Sequence, residues 1–440
     1  MRIVLRILAT LACVSITLLN ATDVGAEHNR KSANPVVDAI KMVREGRKTF
    51  RYDTFGNEDF WGGALGLHSA IAGSANGGIG PGVSPATALA VGLKVDSSAL
   101  PKDVKKALAR GEVDLNDPAT TLTLLALDAV VGVQGRFDDS GAIRSIGITC
   151  ALCHSTVDDS FAPGIGRRLD GWAARDLNVG AIVALSESVA PFAQLLGVDE
   201  ATVRAVLNSW GPGKFDAALF LDGQAFTPGG NTAATLIPPA FGLAGVNLHT
   251  WSGWGSVTHW NAFVAVLEMQ GKGTFYDPRL KDAGKFPVAA ANGFDNVRND
   301  PDLVTPKLAA LQFYQLALKA PAPPKGSFDR KAAQRGKKLF AADGQAGCAY
   351  CHVPPIFTEP GWNVHTPEEI GIDGFQANRG PEDRYRTSPL KGLWSHAKGG
   401  FYHDGRFATL YDVVNHYNDF QGLGLNKGQK RDLVEYLKSL

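Results

Sequence analysis

The sequence is poor in methionine and cysteine, carries almost no net charge and lacks a long apolar run. Of its 440 residues only 3 are Met and 5 are Cys. Lys+Arg (44) and Asp+Glu (43) nearly cancel to a net charge of +1, which argues against a partner such as nucleic acid or an anionic membrane surface. The apolar stretch at residues 7–19 is shorter than the roughly 20 residues that span a bilayer. We therefore expect neither a nucleic-acid-binding nor a membrane-spanning protein.

The first residues have the pattern of an export signal. Arg2 and Arg6 precede the apolar stretch 7–19, and the small residues Val24-Gly25-Ala26 follow it. This order of positive, apolar and small residues predicts a cleaved signal peptide over residues 1–26 and a periplasmic protein. An uncleaved N-terminal anchor is the alternative.

The cysteines outside this segment form two copies of one motif. Cys13 lies in the signal, and the other four belong to the C-x-x-C-H sequences of residues 150–154 and 348–352. This motif is the attachment signature of c-type haem: two thiols one helical turn apart form thioethers with one porphyrin, and the adjacent His binds its iron. The sequence thus predicts two covalently bound haem c groups. Their attachment and proximal residues are Cys150, Cys153, His154, Cys348, Cys351 and His352.

Three other uses of paired cysteines can be weighed. A tetrahedral zinc site does not require a His directly after each pair. A thioredoxin-like motif would lie near a βαβ unit, which neither copy shows. Plain disulfides remain open in an oxidising compartment.

Composition and motif positions predict a mainly α fold, with two cytochrome c-like haem domains and long Gly/Pro-rich loops. Gly (50) and Pro (24) are both abundant. A Pro-rich linker at 321–327 separates an N-terminal region, 27–320, from a C-terminal cytochrome c domain, 328–440. The first haem domain has its core at about 145–275, and the N-terminal region forms one or two domains. Amphipathic helices are predicted at Asp329–Phe340 and Lys427–Leu440.

The segments Tyr385–Leu393 and Phe401–Leu410 resemble bacterial di-haem cytochrome c peroxidases. The same segment occurs in their relatives, the di-haem protein that matures tryptophan tryptophylquinone and the di-haem rubber oxygenases. The resemblance is good over 320–440, looser over 145–275 and absent over 27–140. It implies that the His352 haem is six-coordinate and relays electrons, and that the His154 haem receives peroxide.

At the second haem, the residue in the position of the sixth iron ligand differs from the peroxidase pattern. The peroxidases place a Met after the Ala-Thr-Leu stretch, where this chain has Tyr417, preceded by His416. A Tyr here resembles the quinone-maturing relative, and either residue would lower the potential of the second haem relative to Met. An ordinary helix end with both rings packed is the alternative.

The candidate iron ligands and acid–base residue of the first haem have less support from the sequence than those of the second. His249 and His259 flank an aromatic segment and are candidate iron ligands or hydrogen-bonded packing residues. Glu268 is a candidate acid–base group for cleaving peroxide. The resemblance also allows calcium, held by the carbonyls of Thr387 and Pro389.

Further residues have structural interpretations beside functional ones. The tryptophans 251, 254, 260 and 394 are packing residues or electron relays. His403 is expected to be structural, and Arg406 could neutralise a haem propionate.

Three functions remain in competition. The first is a peroxide-reducing enzyme supplied by a small soluble electron donor such as a cytochrome or cupredoxin. The second is a di-haem electron carrier with both irons six-coordinate, and the third is a di-haem oxygenase. A homodimer is compatible with each. A carrier needs a strong sixth ligand on both irons, whereas the sequence offers one good candidate, which favours an enzyme.

Overall fold

A computed structural model describes residues 34–440. The predicted signal peptide, residues 1–26, and Cys13 lie outside the described residues. Between residues 34 and 440 no helix is long and apolar enough to cross a membrane.

Helices dominate the described chain, which confirms the mainly α prediction. The α-helices are α1 Pro35–Tyr52, α2 Leu67–Ala72, α3 Pro85–Ala90, α4 Lys102–Ala109, α5 Pro118–Ala126, α6 Ala151–His154, α7 Val179–Val183, α8 Ala190–Leu196, α9 Glu200–Trp210, α10 Leu219–Asp222, α11 Val257–Phe263, α12 Pro287–Ala291, α13 Leu308–Ala317, α14 Arg330–Phe340, α15 Pro367–Ile370, α16 Phe375–Asn378, α17 Leu410–Phe420 and α18 Lys427–Lys438. Two π-helical turns are described, at Asp59–Ala64 and Val264–Glu268. 3₁₀-helical turns occur at Ser74–Asn76, Pro278–Lys281, Thr305–Lys307, Cys348–Tyr350 and Leu393–His396.

The strands are short and pair only two by two within the described residues. They are β1 Val95–Asp96, β2 Val133–Phe137, β3 Ile143–Ile148, β4 Ser155–Val157, β5 Ile165–Gly166, β6 Arg168–Asp170, β7 Lys214–Phe215, β8 Thr235–Leu236, β9 Thr274–Tyr276 and β10 Asn296–Arg298. The β1–β5 pair is parallel. The pairs β2–β3, β4–β6, β7–β8 and β9–β10 are antiparallel.

The two helices predicted after the linker form where the sequence places them. The Asp329 carboxylate accepts the Lys331 and Ala332 amides and begins α14, since an N-cap satisfies amides that lack a partner in the first turn. Asn426 begins α18 with a reciprocal capping box. The two helices pack closely at Gly336, where a Cβ would lie 2.0 Å from the Asp432 carbonyl oxygen.

Hydrophobic side chains are buried in separate clusters. Two large clusters draw their residues from 61–237 and 50–314. A third is built from residues 333–437, including Phe340, Leu433 and Tyr436. The C-terminal cytochrome c domain at 328–440 and the linker at 321–327 stay predictions.

Candidate functional site

Each C-x-x-C-H motif lines its own cavity. The first cavity, of about 310 Å³, is lined by Cys150, Cys153 and His154 among other residues. The second cavity, of about 610 Å³, is lined by the corresponding residues of the motif at 348–352. Both volumes lie in the range of about 300–1,000 Å³ that is usual for ligand and cofactor sites.

In the first cavity the motif forms a single helical turn that fixes its histidine. Cys150 precedes α6, and His154 ends it. His154 Nδ1 lies 3.1 Å from the Pro238 carbonyl oxygen, so that nitrogen carries the proton and Nε2 keeps its lone pair. Burial lowers the pKa of His154 to about 4, outweighing this hydrogen bond. The ring is therefore neutral and oriented, as an iron ligand must be.

In the second cavity the motif starts with a short helical turn, Cys348–Tyr350. His352 Nδ1 lies 3.2 Å from the Phe357 carbonyl oxygen, the same arrangement as in the first cavity. Burial lowers the pKa of His352 as well. Both histidines are thus held by a backbone carbonyl as neutral imidazoles.

The four thiols are unlinked and do not converge on one point. None of the four cysteines of the described chain forms a disulfide, and the two pairs line different cavities, which argues against a four-cysteine zinc site. Burial raises the pKa of Cys150 and Cys153 to about 12 and that of Cys348 to about 11. Burial therefore disfavours the thiolate form of these three cysteines.

One group of donor atoms could hold a metal ion instead. Within the described chain, ligand atoms of Cys351, Glu359 and His365 lie within 4.8 Å of one another. The His365 Nε2 is 2.7 Å from a Glu359 carboxylate oxygen. Hydrogen bonding to Cys351 and Glu359 raises the pKa of His365 to about 9 despite its burial, which makes it a charged partner of Glu359. Because Cys351 also belongs to the second motif, a haem thioether would remove it from this group.

Two arginines beside the cavities lack an acidic partner. Among the described residues Arg168 lies 3.1 Å from Asp96, and Arg379 pairs with Asp216 and Asp222. By contrast, Arg175 and Arg386 form no ion pair in the part of the chain that the structure describes. Arg175 is 5% exposed, and the Nε atoms of both are buried without a hydrogen-bond partner.

The positions of Arg175 and Arg386 indicate that both lack an anionic partner. Arg175 lines the second cavity, and Arg386 lines both cavities. Burial lowers the pKa of each to about 10, a sign that the charge is not compensated. A buried unpaired charge is strongly destabilising, so the cavities fit a ligand with carboxylate groups. Haem, with its two propionates, is such a ligand, and the residues present therefore fit it.

The structure separates the two candidate sixth ligands of the second cavity. Tyr417 lines this cavity, whereas His416 does not. The His416 Nε2 lies 2.9 Å from the Ile370 carbonyl oxygen and its ring stacks on Phe420. The geometry therefore places Tyr417, and not His416, in a position to reach a group bound in the second cavity.

The two histidines proposed for the first cavity also differ. His249 lines this cavity, with Nε2 3.1 Å from the Val246 carbonyl oxygen. His259 does not line it, and its Nε2 lies 3.1 Å from Asp277. Next to His249, Thr250 has φ = +62°, a left-handed conformation that is costly for a β-branched residue. Such strain is typical of functional sites, which favours His249 over His259.

Glu268 also lines the first cavity, and its Oε1 is buried without a partner. Burial, reinforced by the negative charge of Asp216, raises the pKa of Glu268 to about 8. The carboxyl group is therefore protonated at neutral pH. A carboxylic acid with a pKa near the working pH is suited to proton transfer.

Trp251 lies in the wall between the cavities, because it lines both. Its Nε1 donates to the Leu236 carbonyl oxygen at 3.0 Å. Trp254 and Trp260 line only the first cavity. Trp394 lines neither and packs edge-on against Trp172. Of the four tryptophans, Trp251 is therefore the one that lies between the two sites.

Other predicted residues have mainly structural surroundings. His403 is buried and stacks on Tyr385, although it lines the second cavity. Arg406 pairs with Asp373 and Asp404 and lines neither cavity, whereas Arg175 and Arg386 do line a cavity. The Thr387 carbonyl oxygen already accepts the Thr358 hydroxyl. Calcium at Thr387 and Pro389 stays a prediction.

Comparison with known proteins gives partial similarity only. No family model matches the chain. It is 30% identical to hydrazine synthase subunit gamma of Kuenenia stuttgartiensis over a match that covers 30% of this chain and 49% of that protein. The chain thus spans about half the length of the curated relative that it matches.

Two solved structures also share part of the chain, each at 19% identity and over 51% of this chain. One is hydrazine synthase of Kuenenia stuttgartiensis, covered to 86% with a TM-score of 0.28. The other is a MauG-like protein associated with microbial copper homeostasis, covered to 79% with a TM-score of 0.32.

The sequence offered no sign of the role of residues 61–133. The structure places many of their apolar side chains in the wall of the first cavity, Leu67, Val83 and Leu125 among them. The unpaired state of Arg175 and Arg386 was equally hidden, because it depends on distant segments.

Proposed function

We propose that the chain is a periplasmic di-haem c-type oxidoreductase of the cytochrome c peroxidase superfamily. In this proposal electrons pass from a small soluble donor through the second cavity to the first, where peroxide is reduced. The observation that carries it is the pair of cavities, each lined by a complete Cys–Cys–His set, with Trp251 in their common wall. The partial identity to a subunit of a synthase agrees with an enzymatic role.

The bound haems would supply one-electron storage and an iron atom for peroxide chemistry. The chain supplies their attachment and orientation. The cysteines of each motif form the thioethers, and the carbonyls of Pro238 and Phe357 orient His154 and His352. Arg175 and Arg386 neutralise carboxylates that would otherwise be expensive to bury.

The residues around the two cavities support a different role for each. Tyr417 can close the second cavity as a sixth ligand, which suits a relay. The first cavity has Glu268 with an unpartnered, protonated carboxyl group that can donate a proton and take it back. Its candidate ligand His249 has a hydrogen bond to Val246 at Nε2, so binding to iron through that atom would require the bond to break. A cavity with a buried proton donor suits the reacting site.

Selective loss of each attachment motif tests this proposal. We would compare the wild type with Cys150→Ala/Cys153→Ala and Cys348→Ala/Cys351→Ala variants, using intact mass, haem content and oxidation of a reduced small cytochrome by hydrogen peroxide. The expected result is two covalent haems in the wild type and one in each variant, with turnover only in the wild type. Peroxide should still alter the spectrum of the second variant, which retains the first haem.

Two results would overturn the proposal. Wild-type protein without covalent haem would remove its basis. Two haems that both stay six-coordinate and unreactive towards peroxide would establish an electron carrier instead.

A further inference from the structure

A surface groove lies directly against the outer wall of the first cavity. The groove, of about 480 Å³, is formed by α3, α4, α5 and the loop that joins α4 to α5. Pro85, Leu89, Val95 and Leu124 line both the groove and the first cavity. A partition one side chain thick therefore separates the exterior groove from the cavity.

The lining of this groove is mainly apolar, with the exposed Asp103 as its acidic residue. Its two hydroxyl groups are already satisfied: the Thr120 hydroxyl donates to the Asp114 carbonyl oxygen at 2.8 Å, and the Thr123 hydroxyl to that of Ala119 at 3.0 Å. Arg110 is exposed and pairs with Glu112 at 2.6 Å. The remaining lining includes Val104, Leu108, Val113, Leu115 and Ile165. A sugar would lose most of its hydrogen bonds to water on entering this mainly apolar groove, whereas an uncharged apolar molecule would lose none.

The helix α4 covers the groove and is weakly held. None of its residues is buried. Val104 and Leu108, four residues apart and thus on one face of the helix, are partly buried against the core and line the groove. A helix with so few buried contacts is expected to open at lower free energy than the core.

The first cavity continues this apolar surface inwards. Leu67, Ile71 and Leu125 line it from the N-terminal region. His154 and Glu268 belong to the same lining. An apolar molecule passing the partition would thus arrive in the cavity that holds the proposed reacting group.

We infer that the groove under α4 is the access route for an uncharged apolar substrate to the first cavity. Leu89 and Leu124 are the side chains that would move to let it pass. This inference rests on the proposed function, since it requires a haem with an open face in the first cavity. It adds a substrate class to that function: a small apolar organic hydroperoxide, whose O–O bond breaks beside Glu268 on taking up two electrons from the donor and two protons, giving the alcohol and water.

Ligand-binding kinetics on the haem-loaded, reduced protein test the route. The probe is n-butyl isocyanide, an apolar iron ligand, mixed in a stopped-flow instrument. The variant Ala107→Trp fills the groove from α4 without contacting the first cavity, because Ala107 lines the groove alone. Ala109→Trp, on the exposed side of the same helix and outside both linings, is the matched control.

The expected result is that Ala107→Trp slows both association and dissociation of the isocyanide by about tenfold and leaves its Kd unchanged, since a blocked route changes rates and not the end states. Ala109→Trp should leave the rates as in the wild type. Leu89→Ala, which widens the partition, should accelerate both rates and provides an independent measurement if the Trp variant folds poorly.

The failures of the two ideas are distinguishable. If the wild type binds the isocyanide but Ala107→Trp and Leu89→Ala both leave its rates unchanged, the route is wrong and the open haem stands. If the wild type binds no isocyanide at all, the proposed function is overturned and this inference with it.

Discussion

Replacement of Arg386 by Met tests whether the cavities hold anionic groups. Arg386 lines both cavities, and its guanidinium donates one hydrogen bond, to the Leu248 carbonyl oxygen at 2.7 Å. Burial lowers its pKa from 12.5 to about 10. At about 1.36 kcal/mol per pKa unit this corresponds to roughly 3 kcal/mol of destabilisation of the charged form. Because the pKa of a base is lowered by folding, the penalty is fully present below pH 10 and declines above it.

A haem carboxylate would offset this penalty, so the sign of the mutational effect is informative. With the carboxylate present, Arg386→Met removes a charged hydrogen bond and should destabilise the haem-loaded protein by about 2 kcal/mol. Without an anionic partner, the same substitution removes the penalty and stabilises the protein. Denaturant unfolding of the haem-loaded protein measures the difference.

The reduction potentials provide a second readout of the same variant. If the haem iron were held about 10 Å from the guanidinium, a unit charge at an effective dielectric constant of about 20 would contribute roughly 1.7 kcal/mol, or about 70 mV for a one-electron couple. Loss of the positive charge should lower the potentials of both haems in Arg386→Met. Arg175→Met should lower only the second, because Arg175 lines only that cavity.

Two outcomes would refute this reasoning. Stabilisation of the loaded protein by Arg386→Met would show that the arginine has no anionic partner. Potentials that stay unchanged, or a first-haem shift in Arg175→Met, would contradict the placement of the two charges.

Three further changes have definite expected outcomes. Ala at His154 or His352 should remove the proximal bond and the native absorption spectrum of one haem only; an unchanged spectrum would contradict the assignment. Tyr417→Phe should alter the ligand-field bands of the second haem while His416→Gln leaves them unchanged, and the reverse result would make His416 the ligand. Glu268→Gln should lower kcat for peroxide by about 100-fold, with wild-type turnover falling as pH rises through about 8, where the acid ionises; a fully active Gln variant would exclude this role.

The parts predicted from sequence are those encoded by contiguous residues. The motif at 150–154 and the N-cap of α14 at Asp329 are local patterns, and both form the expected helical turns. The apolar face of α18 is a periodic pattern, and Leu433, Tyr436 and Leu437 are buried as expected.

The features that could not be predicted depend on contacts between distant segments. Whether Arg386 has an acidic partner is decided by the packing of loops more than a hundred residues apart. His249 and His259 flank the same aromatic segment, and only the fold shows that His249 lines the first cavity while His259 pairs with Asp277. Residues 61–133 have no motif, because apolar side chains that close a cavity have the same pattern as any core.

The central claim is that two haems occupy these cavities and that one of them has an open face. Electron paramagnetic resonance of the purified protein, as isolated and after half-reduction, tests it most directly. The account predicts a low-spin ferric signal from the second haem and a high-spin ferric signal from the first in at least one of the two states. Two low-spin signals in both states would contradict it, because both irons would then be closed to peroxide.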